Sequence, residues 1–354
     1  MKISVLAITK NGKEIAKKLL KPFPDSDIFI PEKFMDKDTE SIKWFSEPTS
    51  KIIVDLFKNY DALVCIFSLG AVIRLLASSL SNKKDDPAVV VIDDRAKFVI
   101  STLSGHLGGA NSLTNKIASF LNSTPVITTA ADVNETISVD LIGRDLGWII
   151  ENFDNVTKIS ADMVNEEPIA LYQDSGERDW WKGNLPKNVT LLTEFKDLES
   201  DRFKSCLIIS DREITNQKIL DKSVVYRPKS LVVGIGLHWD TTKQEISDGL
   251  SKVLKSYGLS FLSIRNFTSL DRGKMILGLE EFSKENNIPI IQFKKEELAD
   301  IQVPNPSTIV RKFEGTPSVS EASSILSSKG QLIVPKQKFP PNLTIAISRV
   351  NYEI

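Results

Sequence analysis

A nine-residue segment, LSGHLGGAN (residues 103–111), concentrates groups that could take part in acid–base chemistry. It contains one of the chain's two histidines, His106, together with Gly105, Gly108 and Gly109. Glycine allows positive φ and close approach of a ligand, and an imidazole titrates near neutrality. A helix that begins near Asn111 would point free N–H groups at an anion, beside which the Asn111 side chain can accept or donate. We predict substrate contacts for Gly105, Gly108, Gly109 and Asn111. The segment therefore predicts a site that binds an acidic substrate and transfers a proton.

Two other interpretations of this segment are open. The glycines could only shape a tight turn, with His106 making a structural hydrogen bond. Alternatively, Ser104 and His106 could form a serine-type esterase site. These two residues lie two positions apart on one loop and need not face each other, and the chain has no G-x-S-x-G elbow.

A second glycine-containing turn, SLGAVIR (residues 68–74), has the same arrangement of strand end, glycine and helix start. Gly70 allows close approach of a ligand, and Arg74 is able to bind a carboxylate through two parallel hydrogen bonds. A solvated surface arginine fits the pattern equally well. We predict that both residues contact substrate.

Two further segments carry charged or hydroxyl side chains. In SNKKDDPAVVVIDD (residues 81–94), we predict substrate contacts for Lys83, Asp86 and Asp93, although such clusters are often solvated loops. In TTAADV (residues 128–133), we predict substrate contacts for Thr128 and Thr129 and a catalytic role for Asp132, which could instead cap a helix. With two histidines in the chain, no metal site of the protein's own is expected.

The surrounding pattern predicts an α/β fold. Apolar strands at residues 2–9, 62–67 and 125–129 alternate with amphipathic helices, which indicates a doubly wound, mostly parallel sheet. Two β-branched runs between residues 86 and 102 flank a polar turn and predict a hairpin. Ligands of open α/β sheets bind beyond the carboxyl ends of strands. We therefore expect the loops of Gly70, His106 and Thr129 to converge on one cleft.

Three domains are predicted. Residues 1–147 form the N-terminal α/β domain, residues 148–228 a small turn-rich domain, and residues 229–354 a second α/β domain. The last begins with VVGIG, whose Gly234 and Gly236 are predicted ligand contacts. The third glycine of a dinucleotide fingerprint is missing, so NAD binding is not expected. A T-x-x-E capping box follows at Thr242.

Composition excludes several classes of partner. The chain of 354 residues has a net charge of −1, so no basic field favours nucleic acid. Its apolar runs are shorter than the ~20 residues of a membrane helix, so no membrane association is expected. Cys65 and Cys206 are far apart, and the start of the chain has no secretory pattern. We expect a cytoplasmic protein.

These segments, in this order, resemble one family. KKDDPAVVVIDD, LSGHLGGAN and PVITTAADV look like the N-terminal domain of the cobalamin biosynthesis protein CbiG family. VVGIG with its capped helix, VSEASSILSSKGQLIVPK and LTIAISR look like the C-terminal domain of the same family. The resemblance implies cobalt-precorrin-5A hydrolase activity in anaerobic vitamin B12 biosynthesis. Such an enzyme opens a δ-lactone with water and releases acetaldehyde, giving cobalt-precorrin-5B.

The resemblance also implies partners and roles. The substrate is a tetrapyrrole that carries its own cobalt, so no cofactor is expected, and other cobalamin-pathway enzymes are possible partners. His106 would activate water while loop N–H groups stabilise an oxyanion. Family members usually follow GIG with a cysteine and basic residues, whereas this chain has Leu237-His238-Trp239. We therefore assign chemistry to the N-terminal domain and binding to the C-terminal one. The alternative is a non-catalytic corrinoid-binding or carrier protein.

Overall fold

The computed structural model describes residues 1–36, 42–81, 85–106, 108–134 and 136–352, and it describes Asp132 without its side chain. Of the predicted site residues, Lys83 and the Asp132 carboxylate lie outside this description. The chain divides into two compact units, Met1–Leu141 and Ile142–Ile354. Each contains its own sheet or sheets and is described separately below.

The first unit is built on a seven-stranded sheet with the order β3-β2-β1-β4-β5-β6-β7. Its strands are β1 (Ile3–Ala7), β2 (Asp27–Pro31), β3 (Ile42–Phe45), β4 (Ala62–Ile66), β5 (Ala88–Ile92), β6 (Phe98–Leu103) and β7 (Thr124–Val126). Its helices are α1 (Lys10–Leu19), α2 (Thr49–Asn59), α3 (Leu69–Leu76), α4 (Ala110–Leu121) and α5 (Ala130–Val133).

Helices cover both faces of this sheet. Helices α1 and α4 bury Leu19 and Ile117 against one face. Helices α2 and α3 bury Phe57 and Leu76 against the other. Strands β4 and β5 are buried along their whole length, as expected for parallel strands covered on both sides. The predicted doubly wound, mostly parallel fold is confirmed.

The directions of β6 and β7 contradict the expectation that the loops of Gly70, His106 and Thr129 converge on one cleft. Strand β6 runs antiparallel to β5, as the predicted hairpin requires, and Leu103 pairs with Val89. Strand β7 is parallel to β6. Both strands therefore end at the edge of the sheet where β4 and β5 begin. Gly70 follows the opposite, carboxyl end of β4, about 16 Å away along a five-residue strand. The expectation that Gly70 shares a cleft with His106 and Thr129 is wrong.

Local boundaries also differ from the sequence pattern. The N-cap of α1 is Thr9, whose hydroxyl accepts a hydrogen bond from the Gly12 amide. Strand β3 was not predicted, because its four residues include a charged one. Strand β7 ends at Val126, before the threonines that the prediction included.

The second unit contains two five-stranded sheets. The first comprises β8 (Ile149–Ile150), β9 (Ile169–Gln173), β10 (Val189–Leu192), β11 (Ser205–Ile209) and β12 (Ser223–Arg227), with α6 (Val156–Val164) and α7 (Gln217–Leu220). Most of these strands are short and lie between polar segments, so the sequence predicted only a turn-rich domain in this region. Strand order is β10-β9-β11-β12-β8.

The second sheet of this unit has the order β15-β14-β13-β17-β16. Its strands are β13 (Leu231–Leu237), β14 (Ile264–Leu270), β15 (Ile290–Phe293), β16 (Leu332–Phe339) and β17 (Leu343–Arg349). Its helices are α8 (Lys243–Tyr257), α9 (Leu277–Asn286), α10 (Lys295–Ala299), α11 (Thr308–Glu314) and α12 (Val319–Ser328).

The predicted capping box is confirmed, because Thr242 and Glu245 bond reciprocally at the start of α8. The small middle domain and the second α/β domain of the prediction correspond to these two sheets. Among the residues that the structure describes, no helix is long and apolar enough to cross a membrane.

Candidate functional site

The loop between β6 and α4 is shaped by steric limits at its glycines. A methyl group on Gly108 would lie 2.4 Å from Cβ of Ser104 and 3.1 Å from the amide nitrogen of Ala88. A methyl group on Gly105 would lie 2.7 Å from Oδ1 of Asn111. Gly109 has φ of 86°, a left-handed conformation that favours glycine. The glycines therefore let the loop fold tightly against the start of β5.

Asn111 joins this loop to its neighbours. Its Oδ1 accepts a hydrogen bond from the Ser101 hydroxyl at 2.6 Å, and its Nδ2 donates to Oγ1 of Thr129 at 3.0 Å. The side chain is buried. Asn111 thus brings the segment after β7, with Thr129, beside the His106 loop. These two predicted site segments do lie together.

The backbone amides at the start of α4 were predicted to bind an anion, but they donate to carbonyl groups of the loop instead. The amides of Gly109, Ala110 and Asn111 donate to the carbonyls of His106, Ser104 and Gly105, at 3.0, 3.2 and 3.0 Å. The loop thus satisfies the first amides of the helix itself. For the amides of Gly105 and Gly108, the described part of the chain provides no acceptor. These two amides are the loop's candidates for stabilising an oxyanion.

His106 is paired with a carboxylate that sequence reasoning missed. Its Nδ1 lies 3.2 Å from Oδ1 of Asp140, and both side chains are largely buried, with 13% and 11% exposure. A proton shared with the carboxylate favours the tautomer with hydrogen on Nδ1, which leaves the lone pair on Nε2. The pair has the base and orienting groups of an acid–base site. Asp140 lies in an irregular segment with no motif, so no sequence signal pointed to it.

The esterase alternative requires Ser104 to donate its proton to a base. The Ser104 hydroxyl instead donates to the carbonyl oxygen of Asp86 at 2.8 Å. The residue also has φ of 54°, in the left-handed region. The Asp86 carboxylate accepts from the Ser81 amide and hydroxyl, the latter at 2.9 Å. In this arrangement Ser104 and Asp86 secure the base of the loop.

The remaining N-terminal candidates lie at the opposite edge of the sheet. Nη1 of Arg74 donates to the Gly70 carbonyl at 3.2 Å. The Asp93 carboxylate accepts from the amides of Arg95 and Phe98, which closes the β5–β6 turn. Gly70, Arg74 and Asp93 therefore make local contacts away from the His106 loop.

The two C-terminal glycines differ in role. A methyl group on Gly234 would lie 1.9 Å from the carbonyl oxygen of Ser320, so this glycine allows α12 to pack on β13. A methyl group on Gly236 would lie 2.4 Å from Oγ1 of Thr344. Gly236 also lines a cavity of about 760 Å³ in the same domain.

Protein-family models match three successive parts of the chain, between residues 51 and 348. Residues 51–132 match the family model "Cobalamin synthesis G N-terminal", residues 137–228 match "Cobalamin biosynthesis central region", and residues 231–348 match "Cobalamin synthesis G C-terminus". The three matched segments follow one another in the same order as the three sheets.

Individual relatives extend over the full length. A protein of Priestia megaterium named cobalt-precorrin-5A hydrolase is 38% identical, over 99% of this chain and 95% of the relative. A protein of Salmonella typhimurium with the same name is 30% identical, over 94% of this chain and 93% of the relative. The solved structure of a "putative cobalamin biosynthesis protein G homolog" from Sulfolobus solfataricus is 24% identical in sequence, over 99% of this chain and 97% of that chain, with a TM-score of 0.39. The chain belongs to the cobalamin biosynthesis protein CbiG family.

Proposed function

We propose that the protein is a cobalt-precorrin-5A hydrolase that opens the δ-lactone of its substrate with water and releases acetaldehyde, giving cobalt-precorrin-5B. Two full-length relatives that carry this enzyme name support the reaction. The structural observation that carries the proposal is the His106–Asp140 pair on a glycine-rich loop. The cobalt arrives as part of the substrate, and the proposed steps need no cofactor held by the chain.

Lactone opening begins with proton removal from water. Nε2 of His106 takes the proton, and the resulting hydroxide attacks the lactone carbonyl carbon. The Asp140 carboxylate stabilises the imidazolium that forms. The negative charge on the carbonyl oxygen is stabilised by the amides of Gly105 and Gly108, which face no acceptor in the described chain. The intermediate collapses as the ring C–O bond breaks, and the leaving oxygen takes the proton from His106.

Release of acetaldehyde resembles a retro-aldol step. The hydroxyl formed by lactone opening loses its proton to neutral His106 while the adjacent C–C bond breaks. The oxygen becomes the aldehyde carbonyl, and the electron pair of the broken bond remains on the macrocycle. One base on one loop thus serves both steps. Thr128 and Thr129 remain proposed substrate contacts, because the Asn111–Thr129 hydrogen bond places their segment beside the loop.

The proposal is tested by incubating the protein with cobalt-precorrin-5A and measuring acetaldehyde with an NADH-coupled alcohol dehydrogenase. Repeated turnover by the parent chain, and its loss in His106→Ala, is the expected result. A carrier protein would bind the corrinoid stoichiometrically and release no acetaldehyde, which would contradict the proposal. Circular dichroism establishes that each variant is folded.

A further inference from the structure

The C-terminal domain contains a cavity that is lined by none of the residues assigned to proton transfer. It has a volume of about 760 Å³ and lies beyond the carboxyl end of β13, where Gly236, Leu237 and His238 line it. Its other walls come from residues 304–310, the start of α12 and the β16–β17 hairpin. Strand β13 lies between parallel β14 and antiparallel β17. Crevices at such changes of strand order are common ligand sites in α/β sheets, and this volume is typical of ligand pockets.

The lining of the cavity has an excess of positive charge. Among the described residues, Arg272, Lys336 and Lys338 line it together with the carboxylate of Glu314, and the buried carboxylate of Glu321 accepts a hydrogen bond from the Lys336 amide. The chain as a whole has a net charge of −1, so this local excess does not follow from composition. Three cations around one concave surface favour a ligand with several carboxylates.

Hydrogen bonds hold two of these cations in place. Nη1 of Arg272 donates to the Leu237 carbonyl at 2.8 Å, and Nη2 donates to Glu314 at 2.6 Å. Nζ of Lys336 donates to the Asn305 carbonyl, and its backbone amide donates to Glu321 at 2.9 Å. Burial lowers the pKa of Lys336, an effect that the charge of Glu321 opposes.

Glu321 itself organises this wall. Its carboxylate is fully buried at the start of α12 and accepts from the Asn305 amide at 3.2 Å and from the Asn305 side chain at 2.9 Å. Together with the bond from the Lys336 amide, these contacts fix the loop before α11 to β16. The cationic wall is therefore preorganised, which reduces the cost of binding.

Apolar side chains are exposed beside the charged ones. Ile309, which lines the cavity, is 69% exposed, and Phe313 on the same helix is 77% exposed. Trp239 is 58% exposed, with the guanidinium of Arg272 5.6 Å from its ring centre. Large exposed apolar groups at a pocket mark contact with an apolar ligand surface. A flat macrocycle with carboxylates on its rim has both kinds of surface.

We propose that this cavity is a second ligand site of the chain, which binds the carboxylate-bearing edge of a cobalt tetrapyrrole through Arg272, Lys336 and Lys338 with the ring against Trp239 and Ile309. The proposal rests on the substrate assigned under the proposed function. It gives the C-terminal domain a binding role that is independent of proton transfer by His106.

The test uses the full chain and the double variant Lys336→Gln/Lys338→Gln. Its matched control is Lys252→Gln/Lys255→Gln, which removes the same charge from exposed positions of α8. Binding is measured by absorbance titration with cobyrinic acid, a corrinoid with free carboxylates, and with cobinamide, in which they are amides. Loss of two charge-assisted contacts should weaken cobyrinic acid binding at least about 10-fold, since about 1.4 kcal/mol is tenfold. Binding to the control should equal that of the parent.

A second measurement separates this proposal from the proposed function. With cobalt-precorrin-5A, the cavity variant should raise KM and leave kcat near that of the parent. Parent-like KM and parent-like cobyrinic acid binding in the folded variant would overturn the cavity site while leaving the hydrolase assignment intact. Equal affinity for cobyrinic acid and cobinamide would overturn carboxylate recognition. If the parent bound cobyrinic acid through these lysines but released no acetaldehyde, the hydrolase assignment alone would fail.

Discussion

The carboxylate of Asp140 lies 3.2 Å from Nδ1 of His106, although the two residues are 34 positions apart in the chain. The contact helps to fix the orientation of the imidazole on a glycine-rich loop. It is also the only acid–base pair that we assign to the reaction.

Replacement of His106 should abolish most of the turnover. A general base contributes typically about 10²–10⁴-fold to rate, so His106→Ala should lower kcat by that factor while changing KM less. His106→Gln should fare little better, because glutamine does not take up a proton near neutral pH. Asn115→Ala, at an exposed position of α4, is the matched control. Acetaldehyde release by folded His106→Ala at the parent rate would show that the imidazole is structural.

Asp140 acts through His106 as a positioning residue. Asp140→Asn removes the charge that stabilises the imidazolium and allows the wrong tautomer, so kcat should fall on the order of 10²-fold or more. KM should stay close to the parent value. In a His106→Ala background the same substitution should have no further effect, because the two residues act as one unit. Independent, multiplying effects would show that Asp140 does not act through His106.

The two edges of the N-terminal sheet should differ in function. Gly70→Ala and Arg74→Gln alter the edge opposite the His106 loop, so acetaldehyde release should stay at the parent rate. A methyl group on Gly70 meets only the end of the Arg74 side chain, at 3.3 Å, and alanine is the better helix former. A large loss of kcat/KM in either folded variant would place substrate at the carboxyl edge after all.

An ion pair between a fully buried carboxylate and a partly exposed arginine joins the two sheets of the second unit. Nε and Nη2 of Arg349 each lie 2.7 Å from the fully buried carboxylate of Asp211. Arg349→Gln leaves that charge uncompensated and should destabilise the fold by about 3–5 kcal/mol in denaturant titration. The double variant Asp211→Asn/Arg349→Gln should recover part of this loss. No recovery would mean that the arginine contributes through packing alone.

Asp174 should make stability depend on pH. Burial, with the nearby charge of Asp211, raises the pKa of Asp174, and its Oδ1 atom has no hydrogen-bond partner among the described residues. Because folding raises the pKa of Asp174, the protonated carboxyl favours the folded state. This contribution to stability is fully present below the unfolded pKa of about 3.9 and is lost as pH rises through the folded-state pKa. Asp174→Asn should therefore raise Tm at neutral pH, and the gain should shrink toward acid. A Tm difference that grows on acidification would contradict this account, as would a Tm at pH 7 below that of the parent.

Local features of this chain could be predicted from the sequence. The β5–β6 hairpin, the start of α4 after the glycines and the capping box at Thr242 all depend on residues within a few positions of one another. Apolar periodicity likewise predicted the α/β class, because burial on one helix face or both strand faces leaves a pattern in the chain. The short strands of the middle domain lack such a pattern, and most of them were missed.

Tertiary structure decided which of these features meet. The predicted hairpin already implies that β6 runs antiparallel to β5. This reversal places the His106 loop at the end of the sheet opposite Gly70, and the expectation of a single cleft did not take it into account. No spacing in the sequence pairs His106 with Asp140, or gathers Arg272 and Lys336 around one cavity. Such contacts join distant segments, and strand direction and sheet order bring them together. The sequence alone therefore determined the α/β class, the elements with a clear local pattern and the candidate loop of His106, and the packing of the sheets decided the partners of its residues.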